Sequence, residues 1–143
     1  MKVLTFITLL LFSMADGHWQ TDFAKAKAEA AQANKLILVN FSGSDWCGPC
    51  IKLKRDILNS EGFQQYAAEY LVLVQADFPR LKKNQLSAQQ TEHNEKLADK
   101  YNSQGKFPFT VLLDANGKKL KEWDGYPSGI TVEGFIREVE AFK

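Results

Sequence analysis

Cysteine occurs only at positions 47 and 50, inside the run Trp46-Cys47-Gly48-Pro49-Cys50. Two thiols this close can close a small disulfide ring and open it again, so thiol-disulfide exchange is the first chemistry to weigh. The nucleophile in such exchange is the thiolate. One cysteine therefore has to lose its proton near neutral pH, and a helix N-terminus, with its partial positive charge and unpaired N–H groups, favours that. Gly48-Pro49 suits a turn entering a helix, because proline's fixed φ and missing donor cost nothing in a first turn. Cys47 would then stand at the helix start, with Cys50 close enough to attack a mixed disulfide formed on Cys47.

Other uses of the pair fit less well. By the chain-entropy model a structural staple over so short a loop is worth on the order of 2 kcal/mol, against roughly 4.7 for a loop of 100 residues. A structural zinc site wants four ligands, and beyond the cysteines the chain offers only His18 and His93. No metal is expected. Around the pair, Trp46 either shields the thiols and offers substrate an apolar surface or is a core aromatic. Asp45 either handles protons or is an ordinary loop carboxylate. Lys52, Lys54 and Arg55 are explained by a solvated helix face, though they could also lower a thiol pKa.

The elements that would hold this segment are visible on both sides. Leu36 to Phe41 is a continuous apolar run of the kind buried on both faces in a central strand. After the motif, Ile51, Leu53, Ile57 and Leu58 recur at helical spacing. Upstream, Thr21 to Ala33 is rich in helix formers, and Trp19, Phe23, Ala26 and Ala30 are expected to share one face, with Asn34-Lys35 breaking the helix. Downstream, Ser60 caps a helix over 61–69 and 70–76 forms a second buried strand, so a right-handed parallel unit is the economical topology. Residues 77–90 form a long polar connection, either a tolerated insertion or a partner-binding loop. A helix follows over 92–101.

Phe107-Pro108 opens a third strand running to Leu113. The proline stands at its head, where a missing ladder donor is tolerated and an X-Pro bond can be cis. Its bland role is an edge-strand proline; its functional one is to leave a backbone edge free to pair with an extended substrate segment. Asp114 to Lys118 carries the Asn-Gly signature of a hairpin turn into a strand over 119–123. Thr131 caps a last helix with Val132, Phe135, Ile136 and Val139 as its apolar stripe.

At 143 residues, 45% of them hydrophobic, the chain suits one domain. Its formal charge of +1, without a long basic stripe, argues against nucleic acid as a partner. Met1-Lys2, the apolar run Val3 to Phe12 and the small residues Ser13 and Ala15 have the layout of a signal peptide, with cleavage expected after Ala15. The run is shorter than the roughly 20 residues of a membrane span. Residues 1–15 are thus expected to be removed, and 16–143 to act as an exported, periplasmic or secreted domain.

The five-residue motif between a buried strand and a helix, the proline heading a later strand, the hairpin and the closing helix together resemble the thioredoxin superfamily. The resemblance covers nearly all of 16–143. The leading helix, the approach Phe41-Ser42-Gly43-Ser44-Asp45 and the export signal are most similar to its secreted thiol:disulfide interchange, disulfide isomerase-like members. The resemblance implies an α/β thioredoxin fold, a central mixed sheet flanked by helices, with an extra N-terminal helix. It implies that Cys47 attacks, that Cys50 resolves and that Pro108 is the cis proline facing them, with Trp46, Gly48, Pro49 and Phe107 contacting substrate. The working group would be a redox-active Cys47–Cys50 disulfide with no further cofactor.

Two departures stand out. Asn40 takes the place of the acidic residue that thioredoxins bury in the strand before the motif, and the approach to the motif is one residue longer. Gly48-Pro49 resembles the reducing members, so the expected activity is a protein-disulfide reductase, with oxidase or isomerase, or a non-catalytic binding module, as alternatives. Partners would be protein thiols and disulfides and a membrane thiol electron donor, and the protein is expected to be a monomer.

Overall fold

The computed structural model describes residues 17–143. The expected signal segment, residues 1–15, lies outside them. In chain order the elements are β1 (Trp19–Gln20), α1 (Phe23–Ala33), β2 (Leu36–Ser42), α2 (Gly48–Leu53), α3 (Glu61–Tyr70), β3 (Leu71–Asp77), α4 (Ala88–Tyr101), β4 (Phe109–Leu113), β5 (Lys119–Asp124) and α5 (Val132–Glu140). The strands form one sheet in the order β1-β3-β2-β4-β5. β2 and β3 are parallel in the register Leu36↔Leu71 to Ser42↔Asp77, while β4 is antiparallel to both β2 and β5. The parallel unit and the terminal hairpin thus form as the apolar runs and the Asn-Gly turn require.

Because side chains alternate along a strand, the sheet presents two faces. Ile37, Val39 and Phe41 of β2 join Val72, Val74 and Ala76 of β3 in a core closed by Ala26 and Ala30 of α1 and Leu97 and Tyr101 of α4. The alanines let α1 lie close to the sheet. Leu38 with Leu73 and Leu112 faces the other way, into a core made with Leu53, Leu58, Phe63, Ala67, Phe135 and Val139. The helices start where side-chain caps supply acceptors: Asp22 to the Lys25 N–H, Ser60 to Phe63, Ser87 to Gln90 and Thr131 to Gly134. Asn34 ends α1 in the left-handed region at φ 53°.

Several expectations change. Trp19 does not share a face with Phe23, Ala26 and Ala30; it lies in β1, parallel to β3 opposite Leu73, and packs on the other side of the sheet. The helix after the motif widens into a π-turn over Lys54–Leu58, with the Asn59 N–H donating to the Lys54 carbonyl at 2.7 Å. That widening turns the adjacent Ile57 and Leu58 inward together, whereas Ile51 stays 47% exposed. α4 begins at Ala88, so the polar connection is shorter than its composition suggests, and Lys82–Asn84 within it forms a 3₁₀ turn.

Candidate active site

The C-terminal end of β2 delivers the chain to the thiols. Gly43 folds it back, its carbonyl accepting from the Trp46 N–H at 3.2 Å and the Cys47 N–H at 2.9 Å. Cys47 is the N-cap of α2, with extended backbone, and its sulfur accepts from the Cys50 N–H at 3.3 Å. The two cysteines are joined as a disulfide with Cα atoms 5.2 Å apart. Pro49 lies in the first turn, where no intrahelical donor is lost. Gly48 and Pro49 are exposed, and a Cβ on Gly48 would meet nothing within 4 Å. Cys47 is 6% exposed and Cys50 3%, so a partner has to reach the sulfurs across the surrounding rim.

Trp46, next to Cys47 in the chain, belongs to an aromatic cluster. The Phe107-Pro108 peptide is cis, Pro108 is buried, and its carbonyl accepts from the Gly125 N–H at 2.9 Å. The Phe107 ring meets Trp46 edge-on at 5.5 Å between centroids and Phe78 at 5.4 Å. Trp46 is half-buried, donates its indole N–H to the Phe78 carbonyl at 2.8 Å, and carries the Arg80 guanidinium 3.6 Å from its ring centroid. A Cβ on Gly43 would stand 2.2 Å from the Trp46 ring, so the ring keeps its place only because residue 43 has no side chain.

Asp45 holds the neighbouring segment rather than standing free. Its carboxylate accepts from the Arg80 N–H at 3.0 Å, the Leu81 N–H at 2.9 Å and the Asn84 amide at 3.1 Å. These bonds, that from the Arg80 N–H foremost, keep its carboxyl below the ordinary range. Asp77 does the same from the other side, accepting from the Ser44 N–H at 3.0 Å and the Ser44 hydroxyl at 2.5 Å. The approach to the motif and the segment after β3 are therefore stitched together. On the α2 side, Arg55 is paired with Asp56 at 2.6 Å, and Lys52 lies 5.7 Å from the Tyr126 ring centroid.

Asn40 is 2% exposed, on the sheet face that α2 covers. It donates to the Thr110 hydroxyl at 3.0 Å and accepts from the Gln75 amide at 3.4 Å, a polar row across three adjacent strands. Thr110 and Gln75 escape a reading of the sequence, because only strand register sets them beside Asn40. His18 is exposed, and His93 caps α1, its Nε2 accepting from the Phe23 N–H at 3.2 Å.

Residues 18–115 match the family model described as Thioredoxin-like. A curated relative, "Disulfide bond reductase DsbH" of Chlamydia pneumoniae, is 37% identical over 115 residues, which is 80% of this chain and 67% of the relative. A solved structure titled "DsbH Oxidoreductase" superposes with a TM-score of 0.79 at 31% identity, over 98% of this chain and 93% of the other. A thioredoxin from Thermus thermophilus shares the fold at a TM-score of 0.66 and 17% identity, over 89% of this chain and 87% of that one.

Proposed function

From the premise that the chain belongs to the thioredoxin-like family, we propose that it is a thiol:disulfide oxidoreductase that reduces disulfides in protein substrates. One observation carries the proposal: the redox pair closes at a helix N-terminus with Cys47 as the cap, where the Cys50 N–H and the helix dipole stabilise a thiolate on that sulfur. In the reductive direction the Cys47 thiolate attacks a substrate disulfide. A bond forms between Cys47 and one substrate sulfur, and the other leaves and takes a proton. The Cys50 thiolate then attacks the Cys47 sulfur, closing the Cys47–Cys50 disulfide and releasing the second substrate thiol. Two electrons have moved to the substrate, and a dithiol donor has to restore the pair.

Support for the reductive direction comes from the Gly48-Pro49 spacer and from the relative named as a disulfide bond reductase. Cys47 and Cys50 carry the chemistry without another cofactor. Pro108 and the walls formed by Trp46, Phe107, Gly48 and Pro49 receive an extended substrate segment. The protein works after export, as a monomer, with a membrane thiol as electron donor. Among the described residues no helix is long and apolar enough to cross a membrane.

The test is to trap the intermediate. Cys50→Ser should accumulate mixed disulfides through Cys47, visible as reductant-sensitive adducts, while Cys47→Ser should form none and lose turnover by several orders of magnitude. Equal loss in both, with no adduct, would contradict these roles. The direction has its own measurement: an equilibrium potential as high as about −120 mV, that of a strong oxidant, would favour an oxidase instead.

A further inference from the structure

The segment after β3 has a charge pattern that exchange chemistry itself does not require. Arg80, Lys82 and Lys83 fall within four positions, and no acidic residue occurs from 78 to 91. None of the three is in an ion pair among the described residues. Leu81 between them is 48% exposed. An unconstrained polar loop would leave such a segment free, since fixing its backbone costs conformational entropy. Here the side chain of Asp45, two positions before the attacking cysteine, binds two of its backbone N–H groups and Asn84. The Trp46 indole N–H ties down the Phe78 carbonyl, and Arg80 lies on the Trp46 ring.

We propose that residues 80–83 form a cationic rim beside Cys47, set in place by Asp45, that selects disulfides flanked by acidic side chains. The occupant is an extended protein segment with carboxylates next to its cystine, and the argument is charge complementarity. None of the rim's cations is in an ion pair among the described residues, and the segment that carries them is bonded to Asp45, two positions before Cys47, whereas across α2 Arg55 is already committed to Asp56. At physiological salt the Debye length is about 8 Å, so only charges close to the reacting disulfide feel this field. Asp45 is a positioning residue in this scheme, and its charge opposes the effect of the cations it holds. The inference rests on the exchange activity proposed above.

The experiment uses the reduced protein and three synthetic peptides with the same disulfide, flanked by Glu, by Gln or by Lys, and follows oxidation of the Cys47–Cys50 pair in single turnover. At low salt the Glu peptide should react about tenfold faster than the Lys peptide, and the ratio should fall toward one as salt rises. The triple variant R80Q/K82Q/K83Q should bring the ratio close to one. Asp45→Ala separates charge from positioning. Removing a negative charge by itself would raise the Glu/Lys ratio; freeing the segment should lower it and speed hydrogen exchange at the Arg80 and Leu81 amides. Asp45→Asn removes the same charge but keeps one acceptor oxygen, so its ratio should lie above that of Asp45→Ala, and it serves if the alanine variant folds poorly. A wild-type ratio near one, a ratio that survives the triple variant, or one that rises in Asp45→Ala would each overturn the rim. Failure to react with any peptide, the Gln form included, would overturn the exchange activity and the rim with it.

Discussion

The two faces of the sheet differ most at the end nearest the thiols. On the face covered by α1 and α4 the apolar series runs to the end of the strands, with Phe41 opposite Phe109 and their rings 6.4 Å apart. On the face covered by α2, α3 and α5 the three central strands are apolar only as far as Leu38, Leu73 and Leu112 and continue as the hydrogen-bonded row Asn40, Thr110 and Gln75, with Trp123 of β5 opposite Thr110. Asn40 and Thr110 are as buried as the two phenylalanines and Gln75 is half-buried, yet the energetics of the two stretches are unlike. Apolar burial stabilises in proportion to the area removed from water, whereas a buried polar row contributes little net and becomes costly once a partner is lost. Both faces carry an apolar core, but at this end one continues it while the other gives up some stability to keep polar groups on the side where α2 brings the cysteines.

Substitutions can break this contrast in order of expected effect. Phe41→Ala, at a fully buried position, should lower the unfolding free energy by about 3–5 kcal/mol in denaturant titration, while Cys47 in the folded fraction keeps its reactivity. Equal losses of stability and thiol reactivity would show that the faces are not separable. Asn40→Leu should cost about 1–3 kcal/mol by leaving the Thr110 hydroxyl and the Gln75 amide without their partner. Asn40→Asp sharpens the same point, because it puts a carboxylate beneath α2 and should speed resolution of a mixed disulfide on Cys47, measured by stopped flow. An unchanged rate with the fold intact would make Asn40 functionally silent.

The smallest effect belongs to Glu138, at the margin of the second face. Its carboxyl is held below the ordinary range by the Trp123 indole N–H at 2.7 Å, opposed by desolvation and helped by Lys121. A carboxyl whose folded pKa is depressed stabilises above its unfolded value, roughly 4.3, and loses that contribution as pH falls through the folded value. With the side chain 43% exposed, the contribution is only a few tenths of a kcal/mol, on the order of an exposed pair. Wild type should therefore exceed Glu138→Gln in stability at about pH 6 and match it at about pH 3. A gap that persists in acid would assign the effect to shape rather than charge.

Much of this architecture was legible in residue types. The runs 36–41 and 70–76, the caps Ser60 and Thr131, and the Asn-Gly turn each have a local cause that needs no knowledge of the rest of the chain. What escaped depends on distant pairing. β1 is two residues long and owes its existence to Leu73 and Val74, so no alternation announces it. The first turn of α4, Ala88 to Thr91, has no apolar stripe of its own and follows a cap set among other polar residues. At the site, Cys47, Cys50 and the proline at the head of β4 stood out, because few arrangements want those residues there. The grip of Asp45 did not. Its partners lie 35 and 36 positions away and include backbone N–H groups, which every residue but proline carries.

Gly43 governs more of the site than its size suggests. Its single hydrogen is what admits the Trp46 ring, and through that ring Phe107, Phe78 and Arg80 are arranged. The smallest of replacements there, a methyl group, would alter no charge and touch no sulfur, yet would evict the tryptophan from its seat. The site thus has a point of mutational fragility in a residue without chemistry, where genetic damage would pass for a defect in partner choice while the redox pair stayed whole.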